Sequence, residues 1–142
     1  MAKEELVKKL NEMLSQEYSS YIRYVTHASL MTGVNCQPVI ERFEEIAEEE
    51  EEHAKVLRDR IVALGGVPTM QVAPAETAKT MKVMIDIGVK EERKTVKRYL
   101  ELFKTLKSED DIILYESIEH ILEDDQEHIE ELTRLQGKVS ST

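Results

Sequence analysis

The chain has one cysteine, three prolines, five glycines and no tryptophan in 142 residues. The lone thiol, Cys36, has no partner for an intrachain disulfide, which fits a reducing, cytoplasmic setting and excludes a four-cysteine metal site. Cys36 itself is expected in a loop. No run of about 20 apolar residues occurs, so no membrane span is expected. The opening stretch MAKEELVKKLNEML is charged throughout and does not read as a signal peptide. Basic charge is also short: 19 Lys and Arg stand against 29 Asp and Glu, a net −10, which leaves no basic face for a nucleic-acid backbone. An acidic balance attracts cations, but it is equally the ordinary surface of a soluble protein. With so few breakers, and with Ala, Leu, Glu, Lys, Arg and Met abundant, the composition favours helix. The length suits one domain over residues 1–142, large enough to bury a core.

The remaining breakers divide the chain into four helices. The first is expected over 3–31, stopping at Thr32-Gly33. A turn at 34–37 leads to a second helix that carries Pro38 in its first turn and ends at Gly65-Gly66. So short a turn makes the two antiparallel neighbours. The third helix is expected from 74 or 75 to about 107. The fourth opens at a capping-box variant of Ser108 and Asp111, reaches Gln136-Gly137, and leaves a frayed tail at 138–142. The nine or so residues between the second and third helices can span roughly 30 Å when extended, about the length of a 20-residue helix. The expected fold is therefore all-α: an up-down-down-up four-helix bundle with a long crossover between its second and third helices.

One stretch organises the rest. In the second helix Phe43, Ile46, Ala54, Leu57, Ile61 and Leu64 recur at helical spacing and mark a buried stripe. Glu50 and His53 lie on that stripe, whereas Glu49, Glu51 and Glu52 lie off it. In the fourth helix Ile118, Ile121, Leu122, Ile129, Leu132 and Leu135 form a similar stripe that contains Asp125 and His128. The two carboxylate-x-x-histidine pairs are offset by 75 residues, and the same offset carries Glu17 onto Glu92, Arg23 onto Arg98 and Tyr24 onto Tyr99. The chain is thus an internal repeat of helix pairs. His27 and His120 fall beside the stripes and read as surface histidines. Arg23 and Arg98 read as partners in modest salt bridges. Gly88, one turn before Glu92, reads equally as leaving room for something bulky or as a tolerated core glycine.

Four inward carboxylates, Glu17, Glu50, Glu92 and Asp125, would repel one another in a low-dielectric core unless protons or cations intervene. Two divalent metal ions remove the problem. Oxygen-rich ligation with two imidazoles, His53 and His128, suits iron or manganese and admits zinc.

One Glu from each of two helices, with a Glu-x-x-His motif from each of the other two, resembles the di-iron carboxylate signature of ferritin-like bundles. The segments Leu10-Asn11-x-x-Leu14-x-x-Glu17 with Tyr24, Glu50-x-x-His53-Ala54, Glu92-Arg93-Lys94 with Tyr99, and Ile121-Leu122-x-Asp124-Asp125-x-x-His128 look like bacterioferritin and its mini-ferritin relatives. The resemblance covers residues 6–136. It implies that Glu17 and His53 bind one iron and Glu92 and His128 the other, with Glu50 and Asp125 bridging and Tyr24 and Tyr99 hydrogen-bonding behind them. Three departures stand out. Asp125 replaces the usual Glu and has one methylene less reach. Glu51 occupies the position of the haem-ligating methionine, so no haem is expected. Lys55 and Asp59 occupy the places where starvation-type mini-ferritins supply intersubunit ligands.

The resemblance implies a ferroxidase that binds two Fe(II), oxidises them with O2 or hydrogen peroxide, and stores iron if the chain assembles into a shell. A homo-oligomer, cage or dimer, is expected, with no nucleic-acid or membrane partner. One rival is a small non-storage di-metal oxidase or peroxidase of rubrerythrin type. A second is a metal-free structural bundle whose buried charges pair with one another.

Overall fold

The computed structural model describes residues 1–139, so the tail expected at 138–142 lies outside the described residues from 140 on. Four helices carry the fold: α1 (Lys3–Leu30), α2 (Cys36–Ala63), α3 (Met81–Phe103) and α4 (Ile112–Lys138). No strand occurs among the described residues, and no helix among them is long and apolar enough to cross a membrane.

Local chemistry sets most of the boundaries. Glu4 and Glu5 place negative charge in the first turn of α1, where the helix dipole favours it. Asn35 turns the chain into α2 at φ 62°, a left-handed conformation that Asn tolerates better than most side chains. Cys36 is consequently the first residue of α2, not a loop residue as expected. Pro38 still falls in the first turn, where its missing N–H costs no hydrogen bond. At the other end Gly65 N–H donates to Val62 O and Gly66 N–H to Ile61 O, both at 2.9 Å, with Gly65 at φ 85°. This double bond pattern closes the helix on a left-handed glycine. Gly66 must also lack a side chain, since a Cβ there would stand 2.5 Å from Val7 Cγ1.

The sequence placed the start of α3 too early. Residues 66–78 form no helix and run along α1, tied down by its polar groups. The Asn11 side chain donates to Val67 O and accepts from Thr69 N–H, Ala73 N–H donates to Ser15 O, and Ser19 Oγ donates to Pro74 O. These bonds engage four of the strap's main-chain groups without helix. Helix α3 begins only where Thr80 Oγ1 accepts from Val83 N–H, and it ends at Phe103, not near 107. Asp111 alone caps α4, accepting from Leu114 N–H at 3.0 Å, and the helix passes through Gly137 without stopping there.

The strap climbs α1 from Asn11 to Ser19, so α3 starts at the end of the bundle where α2 starts. Hydrogen bonds Tyr24–Glu92 and Tyr99–Glu17 run α1 and α3 antiparallel, and the pairs Arg42–Glu131 and Arg60–Asp111 do the same for α2 and α4. The order is up-down-down-up with a long crossover, as expected.

The apolar core is in two parts. One contains Tyr24, Phe43, Ile46, Met84, Ile85, Val89 and Leu132. The other contains Leu10, Leu14, Leu57, Ile61, Tyr99, Leu114 and Ile118. Each fully buried aliphatic contributes about 1.5–3 kcal/mol, enough together to carry an unfavourable polar layer between them. Gly88 serves packing: a Cβ there would stand 3.2 Å from Leu132 Cδ1 and 3.6 Å from the Tyr24 hydroxyl. The room expected beside it is taken up by those two side chains.

Two side chains depart from their expected roles, His27 as a surface histidine and Arg23 as a salt-bridge partner. His27 is buried, covered where the strap passes over α1. Arg23 is buried and forms no ion pair among the described residues, its guanidinium lying 4.3 Å above the Tyr24 ring. Its repeat mate Arg98 is half-buried and has no ion pair among the described residues. His120 is exposed, as expected, and stands 3.6 Å from Asp124.

Candidate metal centre

Glu17, Glu50, His53, Glu92, Asp125 and His128 meet in the layer between the two apolar clusters, and each is buried. All six carry at least one buried nitrogen or oxygen with no hydrogen-bond partner among the described residues: Glu17 Oε2, Glu50 Oε1, His53 Nδ1, Glu92 Oε2, both Asp125 oxygens and His128 Nδ1. A buried polar atom without a partner costs roughly 1–3 kcal/mol, more when charged. Seven in one layer make an arrangement that only protons or cations can offset.

The donors fall into two groups. Glu50, Glu92, Asp125 and His128 each offer one atom within 4.8 Å of the others, and Glu17, His53 and Asp125 form a second such group. His128 Nδ1 stands 3.5 Å from Glu50 Oε1, 3.5 Å from Glu92 Oε1 and 3.5 Å from Asp125 Oδ1. His53 Nδ1 stands 3.8 Å from Glu17 Oε2, 4.0 Å from Glu50 Oε1 and 3.8 Å from Asp125 Oδ1.

The other ring nitrogens of the two imidazoles are held by Asp124 and by Glu49, the latter a residue that the stripe argument placed off the buried stripe. His53 Nε2 bonds Asp124 Oδ2 at 2.8 Å, and His128 Nε2 bonds Glu49 Oε2. A carboxylate on one ring nitrogen leaves the other to face a metal in a fixed orientation. The repeat carried the signal, because the 75-residue offset takes Glu49 onto Asp124 as it takes His53 onto His128. Each anchor belongs to the other half of the repeat. The tyrosines cross over in the same way: Tyr24 donates to Glu92 Oε1 at 2.8 Å and Tyr99 to Glu17 Oε1 at 2.6 Å.

The protonation pattern shows the cost of the layer. Burial pushes the Glu50 carboxyl well above the carboxylate range, reinforced by the charges of Glu17, Glu92 and Asp125. Burial likewise pushes Asp125 up to about 8, with the Glu92 charge adding to it. Burial alone would pull the histidines down. The hydrogen bond to Asp124, with the nearby Glu17 carboxylate, instead raises His53 to about 10, and the nearby Asp125 and Glu92 carboxylates, with the hydrogen bond to Glu49, raise His128 to about 11. Glu17 is held below its usual value because contact with His53 overcomes its burial. Burial, with the neighbouring carboxylates, keeps both Tyr24 and Tyr99 hydroxyls protonated. Left to itself, the layer survives by holding protons where divalent ions would otherwise provide the positive charge. Its donor set of carboxylate oxygens and two imidazoles fits a di-iron centre.

Comparison with known proteins gives the same picture. The family described as Ferritin-like domain matches residues 7–141. Bacterioferritin of Desulfovibrio desulfuricans is 25% identical over 128 residues, covering 89% of this chain and 72% of its own. A ferritin-like, diiron-carboxylate protein of Bacillus anthracis superposes with a TM-score of 0.90 at 31% identity, covering 96% of this chain and 99% of that one. A bacterioferritin-related protein of Bacteroides fragilis, described as a dodecameric thioferritin, superposes with a TM-score of 0.87 at 29% identity, covering 94% and 85% of the two chains.

Proposed function

The chain belongs to the ferritin-like domain family, and on that premise we propose that it is a ferroxidase that takes two Fe(II) ions between its helices and oxidises them. Glu17 and His53 hold one ion, Glu92 and His128 the other, and Glu50 and Asp125 are shared. Tyr24 and Tyr99 orient Glu92 and Glu17. Asp124 and Glu49 fix which imidazole nitrogen is presented. The observation that carries this reading is the set of seven inward nitrogen and oxygen atoms, on six buried residues, with no protein partner.

Each Fe(II) gives up one electron. With O2 as oxidant, two electrons and two protons yield hydrogen peroxide; with hydrogen peroxide as oxidant, they yield two waters. Carboxylates suit the exchange because they bind both oxidation states and can change from bridging to terminal binding. The protons on Glu50, Asp125 and the histidines leave as the ions enter. The product is held as iron mineral if the chain forms a hollow shell, and the dodecameric relative supports such an assembly.

Anaerobic Fe(II) titration followed by oxygen addition tests the proposal. The expected result is saturation near two irons per chain and rapid oxidation that Glu50→Ala abolishes. No saturable binding, or an unchanged rate in the variant, would overturn it.

A further inference from the structure

Resting on that reading, we propose that Arg42 is a positioning residue of the metal centre, acting on His128 through Glu49. Arg42 and Glu49 lie two turns apart on the same face of α2. The two oxygens of the Glu49 carboxylate are divided between two partners. Oε2 holds His128 Nε2, and Oε1 stands 3.5 Å from Arg42 Nη1. The guanidinium is itself fixed from α4, where Arg42 Nε donates to Glu131 Oε1 at 2.7 Å and to Oε2 at 2.9 Å. Its Nη1 also donates to Glu45 Oε2 at 3.3 Å. Glu131 follows His128 by one turn of α4. Arg42–Glu131 and Glu49–His128 are thus adjacent links between the same two helices, joined at the Arg42–Glu49 contact.

That contact restricts a soft torsion. The last bond of a glutamate side chain turns over a broad range, so a carboxylate held at one oxygen lets the imidazole on it rock. A hold on the second oxygen removes the freedom. Glu49 needs this more than Asp124 does, having one more torsion to fix and a side chain 36% exposed against 24%. Arginine suits the task because its planar, permanently charged fork can serve several carboxylates in fixed directions.

The device stands outside the repeat. The 75-residue offset takes Arg42 onto Ser117, and Glu131 back onto Val56. Asp124, the repeat mate of Glu49, has only the exposed His120 ring, 3.6 Å from the same Oδ2 that holds His53. Ligands, tyrosines and anchors are therefore supplied twice, and the arginine once, for the longer anchor.

The test loads the metal-free protein, in its native assembly, anaerobically with Co2+. Calorimetry reads the affinity, and proton NMR reads the hyperfine-shifted, exchangeable ring N–H of each histidine. Glu49→Gln identifies the His128 signal by moving it, and Asp124→Asn the His53 signal. Arg42→Ala should move the His128 signal, leave the His53 signal in place, and weaken Co2+ binding about three- to tenfold, less than the 10–100-fold of an anchor itself. In a Glu49→Gln background, Arg42→Ala should add nothing further to either readout. Glu131→Gln removes the nearest partner of Arg42 without touching Glu49, and it should leave both signals in place. If Glu131→Gln reproduces the changes of Arg42→Ala, Arg42 is only a tie between helices and the inference is overturned. It is overturned equally if Arg42→Ala moves neither signal, moves both alike, or adds its full effect to Glu49→Gln. These outcomes leave the two-metal reading intact, whereas a wild type that binds no Co2+ would overturn both.

Discussion

The α1–α2 half and the α3–α4 half are built to one plan, and their differences are more instructive than their likeness. Each half supplies a buried glutamate and a tyrosine from its first helix and a carboxylate and a histidine from its second, yet the tyrosines and the histidine anchors all reach across to the other half. Neither half can orient its own ligands. The centre is a property of the pair, which explains how seven unpartnered buried atoms can be tolerated: four helices and two apolar clusters hold the layer in place. The halves differ where the carboxylate three residues before the histidine is Glu50 in one and Asp125 in the other. They also differ outside the centre. Arg23 is buried above Tyr24, whereas its repeat mate Arg98 is only half-buried.

The largest test of this comparison removes a shared carboxylate. Glu50→Ala and Asp125→Ala should each slow Fe(II) oxidation by more than about 100-fold, above the 10–100-fold typical of residues behind the ligands, as read by stopped-flow absorbance. An effect confined to one half would contradict sharing. Next come the crossed anchors. Asp124→Asn should weaken metal binding at His53, and Glu49→Gln at His128, by roughly 10–100-fold, measured by Co2+ titration. Both anchors are partly open to solvent, with side-chain exposures of 24% and 36%, so these variants should fold normally.

The pH dependence of the metal-free protein follows from the same layer. Asp125 near 8, and His53 and His128 near 10 and 11, all bind protons more tightly folded than unfolded. The folded state therefore holds the extra protons between each ordinary value and its raised one, and stability falls as pH rises through that interval. Urea unfolding should show the metal-free protein losing stability from about pH 6 to pH 10. Loading with a redox-inert divalent ion should flatten that loss. His27 contributes the opposite slope at lower pH: burial, with Arg23 nearby, holds its ring below the usual value, so its contribution is lost as pH falls below about 6.5. The smallest expected effect is Tyr24→Phe against Tyr99→Phe. Each deletes one buried hydrogen bond, worth about 1 kcal/mol, and thermal unfolding of the metal-free protein should show similar losses for the two.

The six inward residues were legible in the sequence because helical phase and a 75-residue offset are both one-dimensional signals. The crossover was legible from its length. The start of α3 was not, since Pro74, Ala75 and Glu76 imitate a helix opening while the bonds that keep the strap extended come from Asn11, Ser15 and Ser19, more than fifty residues earlier. The burial of His27 was hidden for the same reason: its own helix does not cover it, the strap does. Glu49 and Asp124 were hidden by phase itself. They lie off their stripes, and only the packing of α2 against α4 turns them toward a histidine on the other helix.

The most direct measurement of the central claim is anomalous diffraction at the iron edge from crystals soaked anaerobically in Fe(II). The account predicts two peaks in the layer between the apolar clusters, one beside His128 and one beside His53. Iron found only among the exposed carboxylates, with the six buried residues unchanged, would contradict it.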